Sequence, residues 1–160
     1  MSVDNPDFWQ ERYINDNIPW HTKTITHALI NSVDHSVSKK IAILGCGYSK
    51  DSIFLANKKH SVYSVDFASK PIEYLTGIKN KYNIDNLNPI ECDIFNLPNL
   101  YPNFFDIVLE YTCFCAIMPS KRLEYVELVS KILNKNGQFI SLFFPIKERE
   151  ADKDGPPFYV

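Results

Sequence analysis

The sequence predicts a doubly wound α/β domain built on a parallel sheet, and three observations carry that expectation. Five short apolar segments read as strands, the stretches between them have helical spacing, and "IAILGCGYSK" (41–50) runs an apolar segment straight into a glycine pair. Parallel strands need long connections, and right-handed helical crossovers place helices on both faces of the sheet. A ligand then lies outside the carboxyl ends of the strands, so the residues just after each strand are the ones to inspect.

In chain order, "DFWQERYINDNIPWHT" (7–22) sets Trp9 and Tyr13 four apart on one helix face, with Trp20 in the loop behind. Aromatics so spaced are more often core than ligand cage, and a cation would tip that balance because aromatic faces attract a positive centre. "KIAILG" reads as the first strand, followed by a helix over 51–59 carrying Ile53, Leu55 and Ala56. "SVYSVD" (61–66) is the second strand, and a helix over 70–82 follows with Ser69 as its N-cap and Pro71 in its first turn. "NPIECD" (88–93) is the third strand and "FFDIVLEY" (104–111) the fourth, leading into the apolar, sulfur-rich "TCFCAIMP". A helix over 119–134 gathers Leu123, Val126, Val129, Ile132 and Leu133 on one face and stops at Asn136-Gly137, before the fifth strand, "GQFISLFFP" (137–145).

Composition bounds the rest. A chain of 160 residues, 45% hydrophobic and 22% charged, has the makeup of one globular domain. The formal net charge of -2 gives no electrostatic reason to expect nucleic acid or an anionic membrane as partner, which leaves a small molecule. No apolar run approaches the roughly 18 residues of a membrane span, and "MSVDNPDFW" lacks the order of a secretory signal, so a cytoplasmic location is expected. Cys46, Cys92, Cys113 and Cys115 lack paired C-x-x-C spacing and read as free thiols, with no metal site.

At the strand ends, Gly45 and Gly47 allow a tight turn and close backbone approach, and the next helix, beginning near Asp51, offers N–H groups to an anionic group. A packing turn alone would explain them too. The third glycine of a dinucleotide site is missing: Lys50 stands there, free to face solvent, and this weakens a nicotinamide-dependent oxidoreductase reading. Asp66 ends the second strand where a carboxylate accepts from ribose hydroxyls, or else caps the following helix. Asp93, an acid beside apolar Ile94, is placed to accept from the exocyclic amine of adenine, or else is a solvent-facing loop acid. Glu110 and Tyr111 close the fourth strand, and the loop behind them stands as a pocket wall or as core.

The order F-W-x-x-R-Y, "IPW", "ILGCGYSKD", "VD", "ECD", "EYTCFCAI", "NKNGQFISLFFP" and "DGPPF" resembles the thiopurine S-methyltransferase-like branch of class I S-adenosylmethionine-dependent methyltransferases, which includes halide and thiol methyltransferases. The resemblance spans nearly all of residues 6 to 158, with "TxFCAI" and "GPPF" its more specific parts. It implies a Rossmann-like sheet of the class I type lacking the last two strands, with residues 1–36 as a helical cap over the cofactor site and 37–160 as the α/β core. It implies S-adenosyl-L-methionine as cofactor, met by Trp9, Tyr13, Trp20, Leu44, Gly45, Cys46, Gly47, Asp51, Asp66, Phe67, Asp93, Ile94, Glu110 and Tyr111. Tyr13 stands where several relatives have a second tryptophan, and His21 where many have an acid; these departures bear on the acceptor. His21 is the candidate base for activating a thiol acceptor, or else a loop residue.

Related enzymes continue past "GPPF", whereas this sequence ends at Val160. That leaves strand five as an apolar open edge, which invites pairing with another chain. Two functions follow from the resemblance: methyl transfer to a small soft nucleophile such as a thiol or halide, or a truncated cofactor-binding remnant or regulatory protein without turnover.

Overall fold

The computed structural model describes residues 2–143 and 155–158. Two short helices, α1 (Pro6–Ile14) and α2 (His27–Asn31), precede the sheet. The sheet and its crossovers then run β1 (Lys40–Leu44), α3 (Lys50–Asn57), β2 (Ser61–Asp66), α4 (Ser69–Tyr82), β3 (Leu87–Glu91), α5 (Leu97–Leu100), β4 (Phe105–Tyr111), α6 (Arg122–Ile132) and β5 (Leu133–Leu142). The five strands are ordered β3-β2-β1-β4-β5 and every neighbouring pair is parallel. The winding therefore reverses between β1 and β4, and the crevice at their carboxyl ends is the place a doubly wound sheet offers a ligand.

Alternation along β1 builds two cores. Ile41 and Ile43 face a layer with Leu55 of α3 and Ile72 and Leu75 of α4, whereas Ala42 and Leu44 face Tyr125, Leu128 and Ile132 of α6. Phe105 and Ile107, two apart in β4, face opposite layers, which regular alternation forbids. The ladder slips at that point: β5 advances from Leu133 to Gln138 while β4 advances only from Phe105 to Ile107. Asp106 pins the irregularity, one carboxylate oxygen accepting from Lys40 N at 2.7 Å and the other from Asn134 Nδ2 at 2.6 Å.

The element types expected from the sequence are present and several boundaries move. Asn136-Gly137 does not end α6, because the chain enters β5 directly at Leu133 and carries that dipeptide inside the irregular stretch. A Cβ on Gly137 would lie 2.9 Å from the Phe105 carbonyl oxygen, so glycine serves close strand approach there instead of a helix cap. Strand five accordingly starts four residues early; of its expected end, residues 144 and 145 lie outside the described residues. The 119–134 helix is shortened at its front by a 3₁₀ turn over Pro119–Lys121. Ser69 is the first helical residue of α4 and not its cap; the cap position is Ala68, whose N–H donates to Asp66 Oδ1 at 3.0 Å. The expected third strand stops at Glu91, so Cys92 and Asp93 belong to the loop beyond it. Pro89 is tolerated because β3 is an edge strand.

Candidate functional site

The carboxyl ends of β1, β2, β3 and β4 open into a cavity of about 600 Å³ with a smaller one of about 60 Å³ beside it, both bordered by Gly45. The glycine turn sets their shape. Gly45 has φ +57° and Gly47 φ +51°, a region that favours glycine. A Cβ on Gly45 would sit 2.9 Å from Cys113 Sγ, and one on Gly47 3.0 Å from the Tyr13 hydroxyl oxygen. The turn thus packs under the loop after β4 and under α1 at once.

Asp66 is the best-anchored polar group of the site. Its Oδ2 accepts from Gly47 N and its Oδ1 from Ala68 N, each at 3.0 Å, while the residue is 6% exposed and borders the larger cavity. Burial drives its carboxyl up to about 6, with the backbone donors pulling the other way. Asp66 is not the helix cap expected as its alternative role, since Ala68 holds that position; it binds the Ala68 N–H and borders the larger cavity. Asp93 accepts from Phe95 N at 3.0 Å and caps the 3₁₀ turn Ile94–Asn96, with Ile94 buried beside it. Glu110 is 1% exposed; its Oε2 accepts from Phe114 N at 3.1 Å, and burial pushes the carboxyl up to about 7.

The aromatic wall comes from α1 and the loop behind it. Trp9 and Tyr13 both meet Trp20 edge-on, at centroid separations of 5.5 and 6.1 Å. Trp9 Nε1 donates to Val3 O at 2.8 Å, which orders the residues before α1. Gln10 Oε1 accepts from Lys70 N at 3.0 Å and ties α1 to the first turn of α4. Burial holds the Tyr13 phenol far above its ordinary range, so it stays neutral.

Each residue singled out from the sequence borders one of these cavities. Trp9, Tyr13, Trp20, His21, Gly45, Asp66, Phe67, Asp93, Ile94 and Tyr111 line the larger. Leu44, Cys46, Gly47, Asp51 and Glu110 line the smaller, which Tyr13, Trp20, His21 and Tyr111 also reach. Asp51 spends one oxygen on structure, accepting from Thr26 N at 2.7 Å. Lys50 does not face solvent freely: its Nζ donates to the Tyr74 hydroxyl at 2.9 Å. Sequence reasoning missed Arg12, Lys121, Pro156 and Pro157 on the larger cavity and Tyr48 on the smaller. Tyr48 packs edge-on against Tyr13 and His21, and its place directly after Gly47 was the one signal pointing to it. No group of three or more His, Cys, Asp or Glu placed to hold a metal ion occurs among the described residues.

The family model described as thiopurine S-methyltransferase matches residues 4–160. The chain belongs to the thiopurine S-methyltransferase family. Relatives of this family member include thiocyanate methyltransferase 1 of Brassica oleracea, 26% identical over 160 residues that cover 95% of this chain and 66% of the relative. Thiopurine S-methyltransferase of Vibrio atlanticus (strain LGP32) is 24% identical over 174 residues, covering 99% and 78%. The chain thus spans about two thirds to three quarters of the length of these relatives. Among solved structures, 1,6-didemethyltoxoflavin-N1-methyltransferase of Burkholderia thailandensis, with bound 1,6-didemethyltoxoflavin and S-adenosylhomocysteine, superposes with a TM-score of 0.71 at 16% identity, covering 85% of this chain and 59% of that one. A TehB-like SAM-dependent methyltransferase of Corynebacterium glutamicum superposes with a TM-score of 0.61 at 16% identity, covering 85% and 71%. At such identities these likenesses establish the class I, Rossmann-like fold of this thiopurine S-methyltransferase family member.

Proposed function

We propose that the chain binds S-adenosyl-L-methionine in the larger cavity and transfers its methyl group to a small soft nucleophile, a thiol or a halide. Asp66 carries this reading: a buried carboxylate held by two backbone N–H groups, bordering a ligand-sized cavity one turn from Gly45 and Gly47. The residues fit the cofactor's parts. Asp66 would accept from the ribose hydroxyls, Asp93 and Ile94 would meet the adenine, and Gly45, Gly47 and Tyr111 would meet the methionine portion. Trp9, Tyr13 and Trp20 present aromatic surface suited to a sulfonium. Residues 1–36 act in this reading as a helical cap over the site and the remainder as the α/β core.

When bound, the cofactor supplies an electrophilic methyl group on positively charged sulfur. The chain's part is to hold the acceptor in line with that methyl and keep water away, and no nucleophilic side chain is required. Pro156, Pro157 and Ile117 add apolar lining to the larger cavity. His21, which borders both cavities, is the proposed base for a thiol acceptor. Replacing it with alanine should slow thiol methylation and leave halide methylation near its original rate, because a halide has no proton to lose.

Calorimetric titration with S-adenosyl-L-methionine tests the cofactor, with Asp66→Ala and Trp20→Ala expected to weaken binding at least about tenfold. A folded protein that binds none overturns the reading. Assay of methyl transfer to a panel of thiols and halides then tests turnover, and binding without transfer would favour a cofactor-binding protein instead. The β5 edge, unpaired among the described residues, with exposed Phe139 and Leu142 on the strand and Phe143 just after it, is proposed as a surface for self-association, to be checked by sedimentation at rising concentration.

A further inference from the structure

Away from both cavities, two histidines join in a hydrogen-bonded chain in which every ring nitrogen has one assignable role. Lys39 N–H donates to His60 Nδ1 at 3.1 Å, so that nitrogen carries no proton. His60 Nε2 must then carry it and donate to His35 Nδ1, 2.9 Å away. His35 Nε2 in turn carries a proton and donates to the Ile30 carbonyl at 3.1 Å. A fixed donor at one end and a fixed acceptor at the other leave both rings neutral, each in its Nε2–H form.

A second proton has nowhere to go without breaking a link. On His60 Nδ1 it faces the Lys39 N–H; on His35 Nδ1 it faces the His60 N–H. His60 is fully buried, so ring rotation toward water is closed to it. The charged groups nearby are Lys39 and Asp34 from the segment before β1, and Lys58 and Lys59 at the end of α3. Lys58 lies over the Phe54 ring, against which His35 also packs. From the residue before β3, neutral Asn86 donates to the His60 carbonyl.

We propose that His35 and His60 form a proton-operated clasp that holds α2 to the sheet, and that proton uptake by either ring releases α2 and loosens the wall of the smaller cavity. The route runs through α2 itself. The clasp grips Ile30 near its end, Leu29 lines the smaller cavity, and Thr26 at its start is bonded to Asp51 beside the glycine turn. The functional consequence rests on reading that cavity as the end of the site that receives the cofactor's methionine portion. Burial, then His35 and Lys39, hold the His60 ring below the ordinary imidazole range. The unfolded chain therefore binds more protons below about pH 6.5, and this ring's share of stability is present above that value and lost as pH falls through the folded one.

Nitrogen-15 NMR of the full chain, recorded from about pH 8 to about pH 5, reads the clasp directly. At the upper end both rings should show the neutral Nε2–H pattern. On acidification, loss of that pattern should coincide with shifts of the 26–33 backbone amides and a melting temperature that falls more steeply than in the His35→Gln/His60→Asn variant. S-adenosyl-L-methionine affinity should fall more steeply over the same range in the original chain than in the variant, which keeps the Asp66 carboxylate raised to about 6. An Nδ1–H form on either ring at the upper pH, or protonation that leaves the 26–33 amides unmoved, overturns the clasp. Should the variant fail to fold, the NMR readouts on the original chain still decide. Absence of cofactor binding at every pH refutes the proposed function alone, since the tautomers and the melting slope judge the clasp independently.

Discussion

Replacing Gly45 with alanine tests whether the turn after β1 is set by backbone and packing together. Gly45 sits at φ +57°, where an L side chain costs about 1–2 kcal/mol. The new methyl would also stand 2.9 Å from Cys113 Sγ and 3.1 Å from Cys113 Cβ, and Cys113 is buried with little room to retreat. Overpacking of this kind adds about 1–3 kcal/mol. The total, about 2–5 kcal/mol, corresponds to a loss of roughly 5–15 °C in melting temperature for a chain of this size. Calorimetry on the purified variant measures it. The Cys113→Ala background separates the two causes, because it removes the nearest sulfur and leaves the backbone conformation unrelieved. A double-mutant cycle should return a coupling of about 1 kcal/mol or more in the relieving direction. A variant that melts within about 1 °C of the original, or a coupling near zero, refutes the reasoning.

Three further outcomes follow from the same geometry. Gly77 lies inside α4 with open space where a Cβ would point, so Gly77→Ala should stabilise by about 0.5–1 kcal/mol in urea unfolding. The buried Tyr125 hydroxyl finds no hydrogen-bond partner among the described residues, so Tyr125→Phe should be neutral or raise stability by about 1 kcal/mol; a marked loss would reveal a bond the hydroxyl makes. Glu110 is raised from 4.5 to about 7 in the folded state, so its contribution is full below the lower value and lost as pH rises through the upper. Glu110→Gln should therefore gain on the original chain as pH rises, by about 1–3 kcal/mol above pH 7, as measured by parallel denaturant melts at low and high pH.

Sequence periodicity located β2 to the residue, because it is short, apolar and bounded by polar chemistry at Asp66. Gly45, Asp66 and Asp93 border one cavity for a shared reason: a parallel sheet delivers its strand ends to one edge, so position after a strand implies proximity in space. The failures came where long-range contact overrode a local signal. Asn136-Gly137 has the chemistry of a helix stop, but the approach of Phe105 takes the glycine for strand packing. Ser69 suits an N-cap, but the helix begins one residue earlier than expected, so Ala68 takes the cap position with its N–H held by Asp66. Lys50 has no sequence neighbour to engage it; Tyr74, a helix away, does. Arg12 stands within F-W-x-x-R-Y but is not singled out by it as a site residue, Lys121 carries no motif, and only folding brings α1 and the turn before α6 to one cavity.

Beyond the slip between Phe105 and Ile107, the regular ladder makes β4 intolerant of length change in a way that surface loops are not. Removing one residue beyond the slip, at Val108, would leave a pairable strand, yet Leu109 to Tyr111 would exchange faces, whereas loss of Asp106 itself would only restore regular alternation between Phe105 and Ile107. Glu110 and Tyr111 would then leave the crevice while the strand itself stayed hydrogen-bonded. Insertions and deletions near residue 108 are thus expected to separate folding from ligand binding, and gene libraries scanning single-codon deletions should find this position depleted among binders before it is depleted among folded proteins.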